Sequence, residues 1–267
     1  LLIPSIDNPY FATIASEIVF EAKRYGYTVI LLDTLEDEGN ESECINTLLT
    51  RSIDGIILVP CGERPESLEK IDEQTPIVLI DRYFEDTSLS YICTDNYRGA
   101  LDGVKLLIEN GHKEILCIRG VPHSMPSKER VKGYIDALRE SGFDTRSRIT
   151  GNDYSITNGY LETKLAIGSP ARPTAIFALS NTIMLGAIRA IGESSLRIPD
   201  DVSILSFDNN LFLDFLHPAV TRISQPTKEI SQLAVKILME RLSDKQSVPQ
   251  QIKLPAQIIE GKSVKRL

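Results

Sequence analysis

The chain has 267 residues, 42% hydrophobic and 25% charged, which is apolar material enough for a buried core and excludes an intrinsically disordered segment. Lys and Arg number 29 against 37 Asp and Glu, so the net charge of -8 has the wrong sign for a domain that would itself grip nucleic-acid phosphates. The length suggests two lobes, no apolar run approaches the ~18 residues of a membrane span, and Leu1-Leu2-Ile3-Pro4 lacks the charged head of a signal peptide.

In chain order, short β-rich runs alternate with longer stretches of helical period. Strands are expected at Leu1–Pro4, Thr28–Asp33, Gly55–Pro60, Ile77–Asp81 and Tyr91–Thr94, then at Glu114–Arg119, Ala175–Ala178, Ser203–Phe207 and the Ile252–Ile259 region. The first helix, residues 10–25, carries the stripe Phe11, Ile14, Ala15, Ile18, Val19 and Ala22 and stops at Gly26. Further helices are expected at Ser42–Ser52, Arg98–Asn110, Lys128–Ser141, Thr157–Ile167, Thr182–Glu193 and Thr227–Ser243. This α/β alternation predicts two doubly wound parallel-sheet lobes. The lobes are expected at 1–111 plus 226–249 and at 112–225 plus 250–267, the chain crossing through short strand-like segments such as Val220–Gln225. Short crossings favour a clamshell motion.

Ligands of open α/β sheets bind beyond the carboxyl ends of the strands. The residues following the apolar runs are polar here: Ser5-Ile6-Asp7-Asn8, Asp33-Thr34, Asp81-Arg82, Asp95-Asn96, Ser180-Asn181 and Asp208-Asn209. Such a mixture suits a hydroxyl-rich ligand, because carboxylates and amides orient hydroxyl protons and arginine donates paired bonds. Each residue alone also fits an ordinary helix cap or turn. Arg130 opens an expected helix near its anion-friendly end, with a surface salt bridge as the competing reading. Among the aromatics Phe11 reads as core, while Tyr10 and Tyr154 are candidate ligand faces, Tyr154 the better one.

Catalytic signatures are thin. No G-x-S-x-G, phosphate loop, H-E-x-x-H or G-x-G-x-x-G is present, and His112, His123 and His217 lie far apart. Glu36-Asp37-Glu38 and Asp200-Asp201 read as solvated turn carboxylates rather than acid-base pairs. Cys44, Cys61, Cys93 and Cys117 form no metal-ligand pattern and are expected to be reduced thiols in a cytoplasmic protein. No metal or cofactor is expected.

The ordered motifs resemble the effector-binding core of lactose-repressor-type transcriptional regulators, which shares its fold with periplasmic sugar-binding proteins. Pro4-Ser5-Ile6-Asp7-Asn8-Pro9-Tyr10-Phe11, Gly26-Tyr27, Asp54-Gly55-Ile56-Ile57, Pro76 to Arg82 and Thr94-Asp95-Asn96 carry the resemblance in the first half. Asn110-Gly111-His112-Lys113, Glu129 to Tyr134, Pro173 to Ala178, Ile198 to Ser203, Ser206-Phe207-Asp208-Asn209 and Thr221 to Pro226 carry it in the second. The last three blocks favour the regulators over an extracytoplasmic sugar-binding receptor of a transport system. An enzyme acting through the cleft carboxylates is the weakest alternative.

The resemblance implies a periplasmic binding protein-like type I fold with a ligand cleft between the lobes. It also implies a non-enzymatic role in which a small effector, a sugar, sugar acid, sugar phosphate or purine, changes the lobe angle. Arg82, Arg130 and Asp208 match effector-contacting positions, Asn8, Tyr10 and Asp95 lie near them, and Tyr154 matches a position that is often aromatic. Ser180-Asn181 departs from the family's Asn-Asp, replacing a carboxylate by an amide at a candidate ligand position. The family's helix-turn-helix has no counterpart in these residues, so operator DNA would be contacted by a preceding domain of a homodimer, to which the apolar stretch Leu211, Phe212, Leu213, Phe215 and Leu216 could contribute.

Overall fold

Asn8 starts the first helix by accepting the Tyr10 amide on its side-chain oxygen at 3.0 Å, with Pro9 at a position where its missing N–H costs nothing. In the computed structural model, which describes all residues except 63–64, 144–146 and 245–246, this helix, α1, spans Pro9–Arg24. It ends where Gly26, at φ +82°, lets the Tyr27 amide return to the Ala22 carbonyl. The buried stripe is narrower than expected, since Val19 is exposed while Phe11, Ile14, Ala15, Ile18 and Ala22 are inside.

The chain divides into two compact units, Leu1–Thr94 with Pro226–Leu254, and Asp95–Gln225 with Pro255–Leu267. The first holds strands β1 (Leu2–Ile3), β2 (Leu32–Asp33), β3 (Ile56–Leu58), β4 (Ile77–Ile80), β5 (Ser90–Thr94) and β11 (Gln251–Leu254) in the order β2-β1-β3-β4-β5-β11, all parallel. Helices α1 and α8 (Thr227–Ser243) cover one face, where Ile14, Ile18, Ile230, Ala234 and Leu238 pack on Ile57, Val78 and Ile80. The other face joins Ile45 and Leu48 of α2 (Glu38–Leu49) and Leu68 of α3 (Glu66–Asp72) to Leu2, Leu58 and Leu79. Burial on both sides explains why the strands read as continuous apolar runs.

The second unit repeats the plan. Strands β6 (Ile115–Ile118), β7 (Arg148–Thr150), β8 (Ala175–Ala178), β9 (Ser203–Phe207), β10 (Thr221–Ser224) and β12 (Gln257–Ile259) lie in the order β7-β6-β8-β9-β10-β12, parallel except for β10 against β12. Leu101 and Val104 of α4 (Asn96–Glu109), with Tyr134 and Leu138 of α5 (Met125–Glu140), fill one core. Ala166 of α6 (Ile156–Ile167), with Ile183, Met184 and Ala187 of α7 (Asn181–Glu193), fills the other.

The expected strand at 252–259 is two strands, one per unit. Pro255 has no amide hydrogen to continue a ladder, and the chain passes from β11 to β12 across it. The first crossing falls after Thr94 rather than at Gly111, because α4 packs on the second sheet, its Gly99 and Gly103 lying against Ile223, Phe207 and Leu205. Strand β7 and helix α3 escaped the sequence reading, β7 because its half-buried Arg-Ile-Thr has little apolar signal and α3 because it is short.

Helices α6 and α7 touch through glycines. A Cβ on Gly159 would lie 2.0 Å from the Ile183 carbonyl oxygen, and one on Gly186 would lie 2.0 Å from that of Ile156. Gly159→Ala is therefore expected to destabilise the protein by ~1–3 kcal/mol, the usual cost of overpacking. Gly192→Ala on α7, where the added Cβ meets nothing within 4 Å, is expected to raise stability slightly. Thermal midpoints shifting in opposite directions for the two variants check this.

Candidate functional site

In both sheets the strand order reverses at one point, β1 beside β3 in the first and β6 beside β8 in the second. There the adjoining loops diverge and leave room at the carboxyl ends.

In the second unit Arg130 extends from the second turn of α5 into the interior, 3% exposed. Its Nε donates to Asn96 Oδ1 at 2.7 Å and its Nη1 to the Leu179 carbonyl at 2.7 Å, while the guanidinium lies 3.7 Å above the Phe207 ring centroid. The surface salt bridge allowed by the sequence is thereby excluded. The guanidinium lies in a poorly solvated place, where backbone and side-chain dipoles and an aromatic face replace water.

Asp208 follows β9 and is 3% exposed at φ +76°, a conformation that costs any residue with a side chain some strain. Its amide closes the ladder onto the Ile223 carbonyl, and its carboxylate accepts from Gln225 Nε2 at 2.6 Å and the Asn181 amide at 3.4 Å. Burial pushes its carboxyl above the usual range, and the Arg130 charge, Gln225 and the Asn181 amide oppose that rise.

Asn181, the first residue of α7, is fully buried, and neither oxygen nor nitrogen of its side-chain amide has a hydrogen-bond partner among the described residues. The helix start is served instead by Ser180, whose Oγ accepts the Ile183 amide at 3.2 Å. The Ser127 hydroxyl on α5, 1% exposed, is also unpartnered among the described residues. Tyr154 is half-buried, its hydroxyl 3.0 Å from Ser124 Oγ, and its ring lies so close to Gly120, just past β6, that a Cβ there would come within 2.1 Å of it. Asp95 does what a cap does, accepting the Arg98 amide at 2.9 Å.

The first unit has its own cluster. Tyr10 is 4% exposed and its hydroxyl donates to Asp81 Oδ1 at 2.8 Å, so its polar tip is spent inside the protein. Asp81, at φ +64°, stands directly after β4 with its amide on the Ile92 carbonyl. Arg82 is buried and paired with Glu36 through both Nη atoms, at 2.5 and 3.1 Å, with Asp81 4.0 Å from its Nε. Glu36 is thus an ion-pair partner and not a freely solvated turn acid, and Asp37 caps α2 by accepting the Asn40 amide at 2.8 Å. Asn8 has the capping role described above.

The second-unit cluster therefore brings Arg130, Asp208 and Asn181 together, and the first-unit cluster joins Tyr10 and Arg82 through Asp81. Asn96, Phe207, Gln225, Ser127 and Glu36 were missed by sequence reasoning. Asn96, Phe207 and Gln225 stand inside motifs already singled out without being marked as site residues, whereas Ser127 has an ordinary helix-start context. A cavity of about 250 Å³ in the first unit lies at the amino ends of the strands, among Leu1, Tyr27, Ile53, Gly55 and Met239, and contains none of these polar residues. Among the described residues no group of His, Cys, Asp or Glu could hold a metal ion, and no helix is long and apolar enough to cross a membrane.

Residues 104–264 match the family described as a periplasmic binding protein-like domain. The chain is similar to the HTH-type transcriptional repressor CytR of Escherichia coli K12, 32% identical over 247 residues covering 91% of this chain and 72% of that protein. It is similar to the NTD biosynthesis operon regulator NtdR of Bacillus subtilis 168, 31% identical over 261 residues covering 97% and 79%. Among solved structures, a LacI family transcriptional regulator from Enterococcus faecalis V583 with bound ribose superposes with a TM-score of 0.90 at 26% identity, covering 100% of this chain and 98% of the other.

Replacing Asn181 by leucine keeps the branched shape and the number of heavy atoms while removing two buried polar atoms that lack partners among the described residues. Asn181→Leu is expected to stabilise the ligand-free protein by roughly 1–3 kcal/mol. A chemical-denaturation midpoint that rises checks this, and one that falls would mean the amide has a structural role.

Proposed function

Since this chain belongs to the LacI family of transcriptional regulators and forms its effector-binding core, we propose that Arg130, Asp208, Asn181 and Tyr154 recognise an uncharged, hydroxyl-rich effector, a sugar or a molecule carrying one. The observation that carries this reading is the buried Asn181 amide, with a donor and an acceptor both unpartnered among the described residues beside the Arg130–Asp208 pair. Buried polar groups without partners are rare in folded proteins, and a ligand hydroxyl satisfies both kinds at once. Asp208 adds an acceptor, Arg130 a positive charge, and the Tyr154 ring an apolar face for a sugar ring. That the E. faecalis relative holds ribose supports the same chemical class. We propose that Arg82 of the first unit and Asp95 of the second also serve effector recognition, with Tyr10 and Asn8 acting through the neighbours they position.

The role is regulatory rather than enzymatic: the effector binds two conformations with unequal affinity, and the difference changes the affinity of the whole repressor for operator DNA. With an acidic chain, the DNA contacts belong to a separate domain. We place the protein in the cytoplasm, where such a regulator meets DNA and where the free thiols Cys44, Cys61, Cys93 and Cys117 remain reduced.

The test is calorimetric titration with ribose and with unphosphorylated hexoses and nucleosides. Binding of one of them is expected in the wild type and weakened at least ~10-fold in Arg130→Lys, which keeps the charge but loses the fork. Equal affinity in the two proteins, or binding of none of these compounds, would overturn the reading.

We further propose a homodimer formed through the second unit, supported by the exposure of Leu211 at 81% and Phe215 at 75% in the 3-10 turn at 211–215, whose Leu213 is wholly buried. Sedimentation is expected to show a dimer that Leu211→Asp with Phe215→Asp converts to monomer.

A further inference from the structure

We propose that Glu36 is a built-in counter-charge that reserves Arg82 for uncharged effectors and rejects phosphorylated or carboxylated ones, an inference that rests on the assignment of Arg82 to effector recognition. Arginine is the side chain best matched to a phosphate or carboxylate, because its fork offers parallel donors to two oxygens. In this chain that face of the fork is already occupied. Both Nη atoms of Arg82 meet the two Glu36 carboxylate oxygens, and Nη1 also reaches the Pro60 carbonyl at 3.4 Å.

The backbone makes this pairing a built feature rather than a chance surface contact. Leu35 and Glu36 stand consecutively in the left-handed region, at φ +57° and +55°, where non-glycine residues carry strain. The turn is pinned on both sides, by the Leu35 amide on Asp33 Oδ1 at 2.9 Å and by the Glu36 amide on the Pro4 carbonyl at 2.9 Å. Asp33 also takes the Ile6 amide at 2.9 Å, which ties the loop after β1 to the loop after β2. The strained pair thus carries the Glu36 carboxylate onto a guanidinium that is 5% exposed.

Counting charges shows the consequence. Arg82 is one cation between two carboxylates, Glu36 and Asp81, so an incoming anion meets a cluster of net negative charge. To use the fork it must displace Glu36 and leave that carboxylate unpaired beside it. A neutral hydroxyl does neither, since it can accept from Arg82 or donate to a carboxylate without disturbing the pair.

The test uses inorganic phosphate as the anionic probe and ribose as the neutral one, on the wild type, Glu36→Gln, Arg82→Met and the Glu36→Gln/Arg82→Met double variant. Against sodium chloride of equal ionic strength, phosphate is expected to leave the wild-type melting temperature unchanged. It is expected to raise that of Glu36→Gln, with an apparent affinity gain of roughly tenfold or more, and to lose the effect in the double variant. A wild type that responds to phosphate as strongly as Glu36→Gln, or a Glu36→Gln protein that does not respond, would overturn the proposal. Far-ultraviolet circular dichroism confirms that each variant is folded before titration. The ribose arm reads the underlying assignment separately: unchanged ribose binding in Arg82→Met removes Arg82 from effector recognition, whereas the phosphate arm alone decides whether Glu36 guards it.

Discussion

The buried guanidinium of Arg130 is the constraint around which the second unit is arranged. A charge taken out of water must find compensation or it opposes folding. Here the compensation comes from the start of α4 through Asn96, the end of β8 through the Leu179 carbonyl, the end of β9 through the Phe207 ring, and the Asp208 carboxylate. Gln225, beyond β10, then holds Asp208. Three strand ends and two helices are thereby tied to one side chain.

The first unit solves a similar problem in a different way. Asp81 follows β4 and Asp208 follows β9, each in fourth place in its sheet's order, each with positive φ and with its amide closing the ladder to the next strand. No repeat is visible in the sequence, yet the same turn presents an aspartate at the same place in both sheets. The neighbouring arginines are neutralised differently. Arg130 is held by an amide, a carbonyl, an aromatic face and one carboxylate, whereas Arg82 is ion-paired to Glu36 with Asp81 close by. The first cluster is consequently richer in negative charge, and the second keeps the Asn181 amide, unpartnered among the described residues.

Much of this was legible in the sequence. Alternating β-rich runs and helical stripes require a parallel sheet covered on both faces, and the polar residues after the strands mark the carboxyl edges. Arg82, Asp208 and Asn181 were singled out that way, and Arg130 by its place near an expected helix start. What periodicity could not separate was which helix-start side chains act as caps: Asn8 and Asp95 accept backbone amides, while Asn181, equally placed at a helix start, leaves its amide unpartnered among the described residues. Glu36 was misread as a solvated acid because its partner lies far along the chain, and β7 passed unnoticed because its residues are half-buried and polar.

The sequence by itself determined the fold class, the strand and helix order and the polar edge, because these follow from local periodicity and from the chemistry of residues next to strand ends. Only the tertiary structure decided which charges are neutralised and which polar atoms lack partners, and which sheet receives α4 and each half of the 251–259 segment. Those outcomes depend on distances between residues remote in sequence. The pairing of Glu36 with Arg82, and of Arg130 with Asn96, Leu179 and Phe207, exists only once the strands have set their loops side by side.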